Sequence, residues 1–187
     1  MVLKKCNAVL SLLTFAALLL HVGYTAYTYL TFYYNPALKM AFAVPFAVLT
    51  CLHAVLGMCS VFLLADGTRM GLYAKKNIRT IIQRISAALI FPLLILHINT
   101  FGLLQATSSS GQYMLFALLI LSELVFYLTV FLHAAVSVGR ALITLGILSS
   151  QKAQKITDMT VEILCALLFA VTAFAVIKGQ LTMFLQG

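Results

Sequence analysis

Five apolar stretches, each about 19 to 27 residues long, decide what this chain can fold into: residues 8–32, 41–64, 80–104, 113–139 and 159–177. About 20 helical residues cross the roughly 30 Å hydrocarbon core of a bilayer. Within that core the backbone has to satisfy its own N–H and C=O groups, so each stretch reads as a helix rather than a strand. Composition excludes a water-soluble globule. Of the 187 residues 63% are hydrophobic and only 9% charged, which is too little polar surface to clothe a soluble domain. The expected fold class is an all-α membrane protein: one transmembrane domain over residues 1–187, with five helices in a bundle.

The segments between the stretches carry the punctuation. Asn35-Pro36 marks a short turn, and residues 65–80 form the most polar loop, with Asp66, Gly67, Arg69, Gly71, Lys75, Lys76 and Arg79. Gln105–Gln112 reads as an uncharged loop. The fourth helix can continue through Ala141–Ile147 to the polar Ser149–Lys155. Pro45 lies near the start of its run, where proline is tolerated, and Pro92 is expected to bend the third helix. Lys4 and Lys5 before the first run resemble the start of a signal peptide, but that run is long enough to span and is read as a retained helix.

Charge orients the bundle. Lys4, Lys5, Arg69, Lys75, Lys76, Arg79, Arg84, Arg140, Lys152 and Lys155 fall on one side, and only Lys39 and Lys178 on the other. Cationic loops stay in the cytoplasm, so the N-terminus is expected inside and the C-terminus outside a cell membrane. Tyr24, Tyr27, Tyr29, Tyr33, Tyr34 and Tyr113 then form an aromatic belt at the outer edge. The net charge of +8 is a topology signal. No basic run interleaves with aromatics as single-strand nucleic-acid binding requires. The four cysteines, Cys6, Cys51, Cys59 and Cys165, contain no C-x-x-C pair and read as small apolar packers.

Four histidines remain, one in each of the first four runs: His21, His53, His97 and His133. An ionisable residue inside a membrane helix faces the bundle interior and marks a site. In the third run His97, Ser86, Gln83 and Arg79 fall within roughly 40° of one line on a helix. Alternating helix direction sorts the histidines by depth. His21 and His97 form an outer pair, and His53 and His133 an inner pair. Two imidazoles facing each other across a bundle are what six-coordinate haem iron takes, whereas zinc wants four ligands closing on one point. Two pairs at two depths imply two stacked b haems, a path for electrons across the membrane. Arg79, Gln83, Arg84, Ser86 and Arg140 are candidates to hold propionates or a quinone near the inner pair, and Tyr24, Thr25 and Thr28 near the outer pair. Glu123, an acid well inside the apolar region, is a candidate proton relay or quinol-site group. Glu162 reads as a charge at a helix N-terminus.

At Gln83-Arg84-Ile85-Ser86…His97 the chain resembles the cytochrome b membrane anchors of succinate dehydrogenases and fumarate reductases. Those show a Gln/His-Arg-x-Ser/Thr-Gly stretch followed by an apolar run ending in a haem histidine. The segment from His133 to Lys152 is similar to the fourth-helix region of the five-helix, dihaem branch, whose layout of one histidine on each of the first four helices matches this one. Ala87 stands where that family has glycine, and no carboxylate sits at the outer end of the second helix. The resemblance implies a non-catalytic subunit of an oxidoreductase complex. A flavoprotein with FAD and an iron–sulphur protein would dock on the cytoplasmic face and carry the dicarboxylate chemistry. Electrons would pass between their clusters, the two haems and menaquinone, with a dimer of such heterotrimers as an open assembly state. Two other readings stand beside it. One is the cytochrome b subunit of a hydrogenase or formate dehydrogenase, although those place two ligand histidines on one helix. The other is a haem-free transporter or assembly protein.

Overall fold

The computed structural model describes residues 2–63 and 74–185, without the side chains of 63, 74–77 and 185. Asp66, Gly67, Arg69 and Gly71 of the expected polar loop lie outside the described residues, as do the side chains of Lys75 and Lys76. The chain forms five helices: α1 Val2–Thr31, α2 Pro36–Leu63, α3 Ala74–Ser109, α4 Tyr113–Thr144 and α5 Gln151–Leu185. All five are long and apolar enough to cross a membrane.

The helices outrun the apolar stretches that announce them. They have 28 to 36 residues, about 42–54 Å at 1.5 Å per residue, which exceeds a hydrocarbon core. The expected loop at Gln105–Gln112 is helical through Ser109, and the end of the expected polar loop belongs to α3 from Ala74. The fourth helix does not continue to Ile147; it stops at Thr144. A glycine decides where α3 and α4 end. Gly111 and Gly146 have φ of +69° and +80°, a left-handed backbone that suits glycine at a helix C-terminus. Past α4, Ile147 N–H donates to the Leu142 carbonyl and Gly146 N–H to that of Ile143, both at 3.0 Å. Past α3, Gln112 and Gly111 make the same pair of bonds to Thr107 and Ser108. Two helix starts are capped by side chains. Asn35 Oδ1 accepts from the N–H groups of Ala37 and Leu38 at 3.0 and 3.2 Å, with Pro36 at the first helical position, where its missing N–H costs nothing. Ser150 Oγ accepts from Ala153 N–H at 3.1 Å.

α4 is the central helix. It packs against α1, α3 and α5, while α2 packs against α1. The main core joins Leu18 and Val22 of α1, Phe126, Phe131 and Val138 of α4, and Cys165 and Val176 of α5. A smaller core of Leu104, Phe116 and Leu119 lies nearer the α3–α4 turn. The outward surface stays apolar, with Phe62, Ile98, Leu167 and Phe174 exposed, as lipid contact permits. Of the cysteines only Cys165 is a buried packer; Cys59 is half-buried, and Cys6 and Cys51 point outward. Of the tyrosines, Tyr27, Tyr33, Tyr34 and Tyr113 are exposed, whereas Tyr24 and Tyr29 turn inward.

No backbone approach within 8 Å joins α2 to α3 or α4, or α1 to α3, among the described residues. The interval between these backbones, which the side chains of His53 and His133 reach across, is called the slot below. The four histidines belong to the helices that border it.

Candidate functional site

His53 of α2 and His133 of α4 come together although the described backbones of their helices stay more than 8 Å apart. Their ring centroids are 6.3 Å apart with the planes at 61°. His53 and His133 would be the residues to hold a metal-centred ring at this place, and it would supply one-electron chemistry. The pair lies toward the end of the bundle that carries Arg79 and Arg140. His21 of α1 and His97 of α3 lie toward the Tyr24–Asn35 end, and among the described residues no ring contact or hydrogen bond joins them. His21 stacks on Phe46 at 5.3 Å and 20°. His97 stacks on Phe126 at 4.7 Å and 26° and meets Tyr127 edge-on at 5.8 Å. The aromatic contacts fix the planes of the two rings.

Hydrogen bonds at Nδ1 sort the two nitrogens of three of the rings. His53 Nδ1 lies 3.0 Å from Asn7 Oδ1. His133 Nδ1 lies 3.1 Å from the Gln83 backbone carbonyl and 3.1 Å from Ser86 Oγ. His97 Nδ1 lies 2.8 Å from Glu123 Oε2. A carbonyl, an amide oxygen and a carboxylate only accept. His133 therefore donates from Nδ1 to the Gln83 carbonyl; with Asn7 Oδ1 as placed and Glu123 ionised, His53 and His97 do the same, which leaves the lone pair on Nε2, the arrangement by which a second partner orients a metal-binding imidazole. Ser86, 2% exposed, also donates locally to the Ile82 and Gln83 carbonyls, which holds its oxygen beside His133.

The other sequence candidates divide. Arg140 Nη1 donates to Gln83 Oε1 at 3.0 Å, so Gln83 links a cation to His133 through its side chain and its backbone at once. Arg84 is half-buried and engaged. Arg79 turns to α5, where it pairs with Asp158 and Glu162; Asp158 lies against Gly139, where any side chain would collide with it. Glu162 is thus an ion-pair partner rather than a free helix-terminal charge. Tyr24 is occupied in the α1–α2 turn, donating from its hydroxyl to the Asn35 carbonyl at 2.8 Å and accepting from Asn35 N–H at 2.9 Å. Thr25 bonds the His21 carbonyl. The Thr28 hydroxyl is buried with no hydrogen-bond partner among the described residues. Glu123, 3% exposed, receives hydrogen bonds from His97 and from the Tyr127 hydroxyl.

Sequence reasoning missed Asn7, Phe46, Phe126 and Tyr127. Asn7 sits one residue before the first apolar run and so looked like flanking polarity. Tyr127 carried a usable signal, four residues beyond Glu123 and hence on the same helix face.

The chemistry of His53 and His133, two neighbouring imidazoles with Nδ1 engaged, suits a flat, metal-centred ring; His21 and His97 are not brought into contact with each other. No family model, curated protein or solved structure matches the chain.

Proposed function

We propose that the chain is a dihaem cytochrome b membrane subunit that passes electrons across a bilayer to or from a quinone. The observation that carries the reading is the His53–His133 pair. These two imidazoles stand 6.3 Å apart on helices whose described backbones stay more than 8 Å apart, each with Nδ1 engaged. His21 and His97 supply the second pair. Bound haem would supply one-electron chemistry at the two depths the histidines occupy.

The protein's own residues do the rest. Asn7, Gln83 and Glu123 hold their histidine partners with Nε2 available. Phe46 and Phe126 set the planes of His21 and His97 and keep water out. Gln83 and Arg140 offer a donor cluster for propionates at the basic end. The ten-to-two distribution of cations supports a cytoplasmic N-terminus and an external C-terminus in a cell membrane. The resemblance around Gln83–His97 extends the reading to the anchor of a succinate:quinone or quinol:fumarate oxidoreductase. There, flavoprotein and iron–sulphur subunits would dock on the basic face, and menaquinone would exchange electrons with the haems.

A dithionite-reduced minus oxidised spectrum of the purified protein, with pyridine haemochrome quantification, tests this. Two b haems per chain are expected, and His97→Ala and His53→Ala should each remove a different one. A chain without haem overturns the reading. Copurification of flavin and iron–sulphur subunits tests the wider assignment.

A further inference from the structure

We propose that Glu123 is a positioning residue for the centre served by His97: its carboxylate draws on the His97 Nδ1–H, makes that imidazole a stronger electron donor, and lowers the reduction potential of that one centre. This rests on the haem reading above. It assigns Glu123 a role other than proton relay or quinol contact.

A carboxylate inside an apolar bundle is costly unless strong donors meet it. Glu123 is 3% exposed and has two such donors on one oxygen, His97 Nδ1 at 2.8 Å and the Tyr127 hydroxyl. Phe126 and Tyr127 pack on the His97 ring from two directions and hold its plane, while the hydrogen bond to Glu123 selects which nitrogen faces α4. The other pair is served differently: His53 faces the neutral amide of Asn7 and His133 a backbone carbonyl. An ionised acceptor makes a hydrogen bond roughly twice as strong as a neutral one. A more polarised Nδ1–H raises the basicity of the ligand nitrogen, and a more basic ligand favours the oxidised metal. Tyr127 opposes the effect, because its hydroxyl draws charge from the same oxygen.

That opposition gives a test with two signs. Midpoint potentials of both haems are read by spectroelectrochemical titration of the intact complex, for wild type, Glu123→Gln and Tyr127→Phe. His97→Ala identifies which haem depends on His97. Glu123→Gln keeps an accepting oxygen but removes the charge, and should move that haem's potential up while the other stays. Tyr127→Phe frees the carboxylate for His97 alone, and should move the same potential down. Two retained haems with unmoved potentials, or shifts of the same sign in both variants, overturn the proposal and leave Glu123 a packing partner. If Glu123→Gln does not assemble, Tyr127→Phe decides alone: a downward shift supports the role, and no shift or an upward one overturns it. A wild type without haem overturns the functional reading itself, a result distinct from all of these.

Discussion

A buried imidazole N–H needs an acceptor, and His53 and His133 obtain theirs by different means. His53 depends on the side chain of Asn7. His133 depends on the backbone of Gln83, which no substitution removes, with Ser86 beside it. Asn7→Leu therefore leaves the His53 donor without its acceptor, at a cost of about 1–3 kcal/mol. The measurable outcome is a lower melting temperature in detergent and loss of the haem assigned to His53 and His133. Gln83→Leu should do less. It removes only the amide oxygen that Arg140 reaches, and Arg140 is half-buried with other partners. Comparable losses from the two variants would mean that the Asn7 bond is incidental.

At the scale of elements, α2 is the helix with the most to lose. It packs on α1, and Ser60 is its one buried residue among those described. What holds its start is the turn, where Tyr24 and Asn35 exchange two hydrogen bonds and Asn35 caps the helix. Tyr24→Phe removes the exchange and Asn35→Ala the cap, the latter worth about 1 kcal/mol. Melting curves should show the double variant losing less than the sum of the singles, since both changes act on one turn. Additive losses would show that the two contacts work independently. The existence and order of the five helices were legible in the sequence because uninterrupted apolar runs have few other solutions in lipid. Their ends were not, because apolarity stops at the edge of the hydrocarbon while hydrogen bonding continues. Gln105–Ser109 and Gln151–Asp158 are polar and still helical. The depth sorting of the histidines followed from helix direction alone, so the approach of His53 to His133 was within reach. The acceptors were not: the partners of His53 and His133 lie 46 and 50 residues away along the chain, and local periodicity carries no information about such pairings.

Across the whole molecule, the crowd of cations at one end has to be divided between holding the bundle together and serving the slot. Arg79 and Arg140 exemplify the division. Arg79 reaches α5, and its partner Asp158 is held against Gly139 of α4, so one guanidinium ties three helices. Its side chain is 37% exposed and that of Glu162 50%, which limits the pair to the upper range for partly solvated ion pairs, about 1 kcal/mol. Arg140 instead bonds the residue whose carbonyl holds His133. Arg79→Gln should accordingly lower the melting temperature by a few degrees, leave both haems in place and leave their spectra unchanged. Arg140→Leu should perturb the spectrum or potential of the haem that depends on His133, because a neighbouring positive charge is lost where negative propionates would lie. The melting curve and the haem spectrum thus separate the two arginines. The reverse pattern, with haem lost on changing Arg79 and kept on changing Arg140, would mean that Arg79 leaves α5 for the slot when the cofactor is bound.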